Sequence, residues 1–315
     1  MTSIKVYALA DDLPYGARII GVNWESLKDE GVREQIKHIF EDRGLIVFKG
    51  VESSRQIHLA LSEIVGPLQD HPLKERAPME QPAKPDVTNF NYKGDVVDAD
   101  GRRLTGWIPW HYDACYTAKL NRGGVLRAIE LPPEGGMTGF ADGIQLYEAV
   151  SPKLRARFED LSIIYRVNLA YMNQRFGMLK NYRWISLSEN ASKLIGRRDD
   201  IRRSVHPSIW RRRSGENVLH VSPWQAAGIQ GCENPEGDAL LESLCQEIYA
   251  RMKPYWHKWE LTDMVLWDNW RFVHAASGND PKYTRHLQRT TIEGDYGLGS
   301  FELGATGNEP PKMTV

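Results

Sequence analysis

The chain has 315 residues, and its 40 Lys and Arg residues nearly balance 41 Asp and Glu residues, giving a formal net charge of −1. A near-zero charge argues against a protein that binds nucleic acid over its whole surface. A hydrophobic content of 41% supports a substantial core, and no apolar run is long enough to span a membrane. The opening residues form no sustained apolar segment and the three cysteines form no CxxC pair, so we expect a cytosolic protein without disulfides.

The N-terminal third is predicted to combine two helices with one buried strand. Apolar residues recur at helical spacing through residues 26 to 43, and Gly44 is suited to end that helix. Leu45 to Phe48 then predict a buried strand, and a second helix follows from Ser54. Residues 74 to 106 are polar and irregular, which predicts a long loop. Because this loop leads directly into the histidine motif described below, a lid is favoured over a passive loop.

Short apolar strands are spread over the rest of the chain, with helices between them. Ser151-Pro152 predicts a capped helix start, and a further helix covers about 237 to 252. The predicted strands are Gly123 to Ile129, Ile163 to Val167, Val218 to Val221, Met264 to Trp267 and Leu287 to Ile292. This distribution favours one mainly β domain over residues 1–315, with flanking helices and a flexible tail at 304–315.

His111-Tyr112-Asp113 is the triplet with the most specific chemistry. Alternate side chains of an extended strand point to one face, so the histidine and the aspartate of a His-x-Asp step can meet at one point. With His274 far downstream they make two imidazoles and one carboxylate. That set is typical of a mononuclear non-haem Fe(II) oxygenase, which leaves other positions open for a cosubstrate and O2. The triplet alone is weak evidence, since scattered polar core residues give the same pattern.

Cys115 follows Asp113 by two residues and would point to the same face of a continuing strand. A thiolate ligand would occupy a coordination position that a cosubstrate needs. A small buried side chain is therefore favoured over a fourth metal ligand.

Four further segments accompany the triplet. They are Pro132-Pro133-Glu134-Gly135-Gly136-Met137-Thr138, Trp267-Asp268-Asn269 leading into His274, Arg285-His286-Leu287-Gln288-Arg289, and Ile292-Glu293-Gly294-Asp295. Together with Trp110-His111-Tyr112-Asp113, their order and spacing resemble the taurine dioxygenase and 2,4-dichlorophenoxyacetate dioxygenase family, from about Gly16 to Asp295. The resemblance implies a double-stranded β-helix (jelly roll) core, iron held by His111, Asp113 and His274, and 2-oxoglutarate as cosubstrate.

The resemblance also implies roles for residues around the metal. Thr138 and Arg285 would hold the distal carboxylate of 2-oxoglutarate, and Arg289 would face the reacting centre and an anionic substrate. His71, in Gly66-Pro67-Leu68-Gln69-Asp70-His71-Pro72, lies where taurine-specific members of the family have a substrate-contacting histidine.

Arg289 and the rings beside the metal motif indicate the kind of substrate. A buried guanidinium without a partner is costly, so the site should favour a small carboxylate or sulfonate. Trp107, Trp110 and Tyr112 flank the metal motif, and Trp110 and Tyr112 are predicted to cover an apolar substrate body. Core packing is the alternative for at least one of these rings.

The predicted reaction is oxidation of that anion, by hydroxylation, with release of succinate and CO2. Asp113 disfavours halogenation, because related halogenases carry a small residue in place of the carboxylate ligand. Desaturation stays open, as does a non-catalytic jelly-roll protein that binds a metal or small molecule.

The stretch between Arg197 and Arg213 is the one strongly basic region. It is the only support for a nucleic-acid demethylase, and a solvated face is favoured over an oligomer contact or a funnel for an anionic substrate. We expect a homo-oligomer with no nucleic-acid or membrane partner.

Overall fold

The computed structural model describes residues 4–70, 86–90, 95–167, 174–188, 192 and 202–302. Its helices are α1 (Glu30–Arg43), α2 (Arg55–Glu63), α3 (Gly143–Ala149), α4 (Pro152–Phe158) and α5 (Pro235–Arg251), with 3-10 turns at Ser26–Lys28 and Pro223–Gln225. The strands are β1 (Lys5–Ala8), β2 (Ala17–Ile20), β3 (Leu45–Lys49), β4 (Thr88–Phe90), β5 (Val96–Ala99), β6 (Arg102–His111), β7 (Gly123–Glu130), β8 (Thr138–Asp142), β9 (Ser162–Tyr165), β10 (Tyr182–Ser186), β11 (Ser204–Pro207), β12 (Ile209–Arg211), β13 (Asn217–Leu219), β14 (Ala226–Ile229), β15 (Tyr255–His257), β16 (Met264–Asp268), β17 (Phe272–Asn279), β18 (His286–Arg289) and β19 (Ser300–Phe301). No helix in these ranges is both long enough and apolar enough to cross a bilayer.

Capping residues explain where the helices begin. The helix predicted at 26–43 is split, because Asp29 is extended and its carboxylate accepts from the Gly31 N–H to start α1. The helix predicted from Ser54 is α2, and Ser54 caps it by accepting from the Ile57 N–H. Ser151 precedes α4 but makes no side-chain cap bond, so Pro152 alone marks that start. Asn234 caps α5 and begins it two residues earlier than predicted.

Two large sheets form the centre of the fold. One has seven strands in the order β1-β2-β3-β16-β7-β18-β4, and the other has six in the order β10-β5-β6-β17-β8-β15. Smaller sheets, β14-β9-β11-β19 and β12-β13, flank them. Most neighbours are antiparallel and distant in sequence, as in a double-stranded β-helix, so the predicted fold class is confirmed.

Strand β16 shows how side chains divide between the cores on either side of the seven-stranded sheet. Met264 and Leu266 pack in the cluster that contains the apolar faces of α1 and α2. Val265 and Trp267 point the other way and pack with Phe140 of the six-stranded sheet. This period of two places the two large sheets face to face, with a core between them.

The prediction of one irregular loop at 74–106 is wrong for its described part. Strands β5 and β6 form a hairpin, in which Asp98 faces Arg103. Asp100 and Gly101 both have positive φ, 52° and 79°, which is the geometry of a two-residue hairpin turn. Residues 71–85 and 91–94 lie outside the described residues, as does the tail predicted at 304–315, and the lid role stays a prediction.

Candidate functional site

His111 and His274 are neighbours across the ladder that joins β6 to β17. They are paired in register, and their ring centroids lie 4.2 Å apart. Asp113 follows the end of β6, and its Oδ1 lies 3.6 Å from Nε2 of each histidine. One ligand atom from each residue lies within 4.8 Å of the others. Two imidazole nitrogens and one carboxylate oxygen suit Fe(II) and leave other coordination positions available.

Both histidines are arranged for metal binding. His111 Nδ1 lies 2.8 Å from the Pro109 carbonyl oxygen, and since a carbonyl only accepts, Nδ1 bears a hydrogen and Nε2 is the ring nitrogen available to a metal. Burial, together with the neighbouring His111, lowers the pKa of His274 to about 4. His274 is therefore neutral at pH 7 and able to act as a ligand.

One carboxylate oxygen of Asp113 carries a charged hydrogen bond. Its Oδ2 accepts from Arg289 Nη1 at 2.5 Å, on the side away from the histidines. Burial acts to raise the pKa of Asp113, but the Arg289 charge and the neighbouring His111 and His274 outweigh it and hold the pKa well below its usual range. The prediction that Arg289 lacks a partner is therefore corrected, because it pairs with a metal ligand.

The backbone around Asp113 is held by Asn269, a fully buried side chain. Its Oδ1 accepts from the Asp113 N–H at 2.9 Å, and its Nδ2 donates to the Asp113 carbonyl at 3.0 Å. Ala114 follows with φ of 57°, a left-handed conformation that is unfavourable for a residue with a Cβ. Thr117 donates to the Ala114 carbonyl from both its N–H and its hydroxyl. These bonds fix the turn that aims the carboxylate.

Thr138 and Arg285 come together as predicted. Arg285 donates from Nε to the Gly136 carbonyl at 2.8 Å and from Nη2 to Thr138 Oγ1 at 3.1 Å. Gly136 has φ of 66°, and an added Cβ would lie 3.0 Å from Arg285 Cδ, so glycine is required there.

Thr138 of the clamp lies near His274 on one face of the six-stranded sheet. Phe140 is paired with His274 in register, and its ring lies 6.2 Å from the His274 ring. Thr138 precedes Phe140 by two residues on β8, so it points to the same face, about 7 Å along the strand. We call Thr138, Arg285 and Trp259, which also bonds Thr138, the clamp end of the site. The metal end comprises His111, Asp113, His274 and Arg289.

The structure corrects the predicted substrate contacts of Trp110 and Tyr112. Tyr112 is fully buried, stacks on His220 at 3.8 Å and donates its hydroxyl to the Leu219 carbonyl. Trp110 packs against Trp256 and lines an open groove of about 590 Å³ on the outer face of the six-stranded sheet. The alternation that turns His111 inward turns both neighbours away from the site.

Three other predictions concern residues away from the metal ligands. His71 lies outside the described residues. Cys115 is buried and donates to Gln225 Oε1, which agrees with a small buried side chain. Within 197–213, Arg203 pairs with Glu233 and Glu302, and Arg212 pairs with Asp268, so these two charges are neutralised locally.

Sequence reasoning missed several residues that lie next to the site. The Phe90 ring lies 4.8 Å from the Arg289 guanidinium carbon, and Trp224 packs edge-on against His111 at 5.1 Å. Burial and the Asp113 charge raise the pKa of the Tyr116 phenol. Asn269 belongs to a motif that was noted without a role, whereas Phe90 carries no signal in a single sequence.

Comparisons with known proteins agree with this geometry. The sequence model described as the taurine catabolism dioxygenase TauD, TfdA family matches residues 5–291. An alpha-ketoglutarate-dependent 2,4-dichlorophenoxyacetate dioxygenase of Cupriavidus pinatubonensis is 27% identical over 86% of this chain and 91% of its own. An (S)-phenoxypropionate/alpha-ketoglutarate-dioxygenase of Sphingobium herbicidovorans is 28% identical over 90% and 93%. A taurine dioxygenase structure from Burkholderia xenovorans superposes with a TM-score of 0.67 at 23% identity, covering 96% and 97%.

Proposed function

Because the chain belongs to the TauD, TfdA family and is an Fe(II)- and 2-oxoglutarate-dependent dioxygenase, we propose that it hydroxylates a small organic anion with an aromatic or apolar body. The observation that carries this proposal is the position of Arg289. Its guanidinium reaches the metal end, bonds Asp113 through Nη1, and keeps a buried Nε that meets no acceptor among the described residues. A carboxylate or sulfonate is the acceptor that such a donor favours.

Within this proposal, His111, Asp113 and His274 hold the iron, and Arg285 and Thr138 hold the distal carboxylate of 2-oxoglutarate. Bound iron supplies O2 activation coupled to oxidative decarboxylation of 2-oxoglutarate to succinate and CO2. The protein residues orient the reactants. Arg289 keeps one Asp113 oxygen occupied, so that the other is presented to the metal.

The charge of the loaded site supports an anionic substrate. The formal positive charge of Fe(II), Arg285 and Arg289 exceeds the formal negative charge of Asp113 and 2-oxoglutarate by about one unit. In a buried site that excess favours a substrate with a single negative charge, because interactions between charges are strong where water is excluded.

An aromatic body is supported by Phe90 and by the names of the relatives. Phe90 lies against the Arg289 guanidinium, so an apolar ring and a cation are adjacent at the metal end. The two relatives above are named for 2,4-dichlorophenoxyacetate and (S)-phenoxypropionate, both of which join an aromatic ring to a carboxylate. Phe90 thus takes the place that we predicted for Trp110 and Tyr112.

The test is succinate formation across a panel of aryloxy carboxylates, sulfonates and sulfate esters, each paired with its neutral amide or ester. We expect an anion to stimulate succinate formation and its neutral partner to do so at least tenfold less. A neutral or cationic best substrate would overturn the proposal. Arg289→Lys should keep more substrate-coupled turnover than Arg289→Gln, since lysine retains the charge.

Two finer points stay predictions. The mass of the product separates hydroxylation, which adds one oxygen, from desaturation, which removes two hydrogens. Light scattering after size-exclusion chromatography checks the expected homo-oligomer.

A further inference from the structure

The hydroxyl of Thr138 accepts two hydrogen bonds at the clamp end of the site. Its Oγ1 accepts from Trp259 Nε1 at 3.0 Å and from Arg285 Nη2 at 3.1 Å. A hydroxyl oxygen has two lone pairs and one hydrogen, so these two donors use its whole accepting capacity. In the part of the chain that the structure describes, Thr138 donates to no acceptor, although it is only 4% exposed.

Trp259 is fixed firmly enough to impose this arrangement. It is 8% exposed and belongs to the core between the two large sheets. The His257 ring makes a T-shaped contact with it, with ring centroids 4.5 Å apart and an interplanar angle of 87°. His257 in turn lies 3.2 Å from the buried carboxylate of Asp263. The indole N–H therefore cannot turn away from Thr138 without disturbing this packed group.

We propose that Trp259 is a positioning residue that sets the polarity of the cosubstrate clamp. By occupying the second lone pair of Thr138, its N–H directs the Thr138 hydroxyl hydrogen toward the ligand. The clamp then offers donors only, from Arg285 and from Thr138, and selects 2-oxo acids whose far end is a pure acceptor. A carboxylate meets that requirement, whereas an alkyl end leaves the hydroxyl hydrogen buried and unpaired.

This inference rests on the proposed roles of Arg285 and Thr138. The test measures how two acids bind to the Fe(II)-loaded protein under anoxia. Binding is monitored through the visible charge-transfer band of the chelated iron. The acids are 2-oxoglutarate and 2-oxopentanoate, which chelate alike but differ in the distal carboxylate. We expect Trp259→Phe to weaken 2-oxoglutarate binding roughly five- to tenfold and to leave 2-oxopentanoate unchanged.

The matched control is Trp256→Phe. Trp256 lies three residues earlier, is 36% exposed and packs against Trp110 on the outer face, so both acids should bind that variant as they bind the wild type. Thr138→Val should weaken 2-oxoglutarate binding about tenfold, and adding Trp259→Phe to it should cost nothing more, because the two changes remove one coupled unit.

Each outcome bears on a different claim. If Thr138→Val binds 2-oxoglutarate like the wild type, the clamp assignment itself is wrong. If Thr138→Val weakens binding but Trp259→Phe does not, or if Trp259→Phe weakens both acids equally, only the role of Trp259 is overturned. Should Trp259→Phe fail to fold, 3-benzothienylalanine at position 259 replaces the N–H by sulfur in the same ring shape and gives the same readout.

Discussion

The histidines of the metal end and Thr138 of the clamp end lie on the six-stranded sheet, but the two ends satisfy their charges differently. At the metal end, Asp113 Oδ2 accepts from Arg289, and Oδ1 lies 3.6 Å from Nε2 of each histidine. At the clamp end, Arg285 and Trp259 both donate to a neutral hydroxyl, that of Thr138. The metal end thus includes a carboxylate, Asp113, that balances Arg289. The residues of the clamp end include hydrogen-bond donors but no carboxylate. On the proposed roles of Arg285 and Thr138, the cosubstrate supplies the anion that the clamp end lacks.

Removal of a metal ligand should give the largest effect, which is loss of the iron complex at the metal end. Asp113→Ala and His274→Ala each leave two ligands, so the visible band of the Fe(II) and 2-oxoglutarate complex should disappear under anoxia. Cys115→Ser, two residues beyond Asp113 and bonded to Gln225, should keep the band. A band that survives in both ligand variants would refute the assignment of the ligands.

A change at the clamp end comes next in size. Arg285→Lys loses the bond to the Gly136 carbonyl and replaces a planar fork by a point charge. We expect 2-oxoglutarate to bind about 1.5–3 kcal/mol more weakly, which is roughly 10- to 150-fold. Arg251→Lys, on the exposed end of α5, is the control and should bind 2-oxoglutarate normally. Equal affinity in Arg285→Lys and wild type would remove Arg285 from the clamp.

Asn269 tests whether the metal end is preformed by its backbone. Asn269→Ala removes the side chain that bonds both the N–H and the carbonyl of Asp113, so calorimetry with Fe(II) under anoxia should show about tenfold weaker binding. Asn234→Ala removes the cap of α5 instead and should lower stability by about 1 kcal/mol without changing Fe(II) affinity. Unchanged Fe(II) affinity in Asn269→Ala would mean that the left-handed turn at Ala114 holds without it.

The smallest expected effect tests whether Tyr112 belongs to the core and not to the site. Tyr112→Phe removes the hydroxyl bond to the Leu219 carbonyl and should lower the free energy of unfolding by about 1 kcal/mol, measured by denaturant titration. Affinities for Fe(II) and 2-oxoglutarate should not change. Tyr147→Phe, whose hydroxyl bonds Glu159 at the surface, should leave stability nearly unchanged. A tenfold loss of 2-oxoglutarate affinity in Tyr112→Phe would show that Tyr112 contributes to the site.

Two of the three metal ligands, His111 and Asp113, form a local pattern, and the family resemblance supplied His274. The spacing of His111 and Asp113 places them on one side of an extended segment, and the same alternation turns Trp110 and Tyr112 to the other side. This alternation of side chains, applied to Trp110 and Tyr112, already argues against a substrate role for both rings. The hairpin of β5 and β6 was also readable, since Asp100-Gly101 is a favoured two-residue turn.

Other parts of the site depend on contacts that no local pattern carries. Arg289 meets Asp113 across 176 residues, and Trp259 meets Thr138 across 121. Phe90 reaches Arg289 only because β4 pairs with β18. A single sequence gives residue types and periodicities, but these pairings are set by sheet order, which the sequence does not state directly.

The ladder between β6 and β17 has a consequence for the order of events during synthesis. A ribosome that has made His111 and Asp113 has still to make β17, so the nascent chain holds an incomplete ligand set for most of its translation. Pairing β17 with β6 closes a long loop. Such closure is slow, because the chain loses entropy before the stabilising contacts form. A complete ligand set can therefore form only after β17 has been made and has paired with β6.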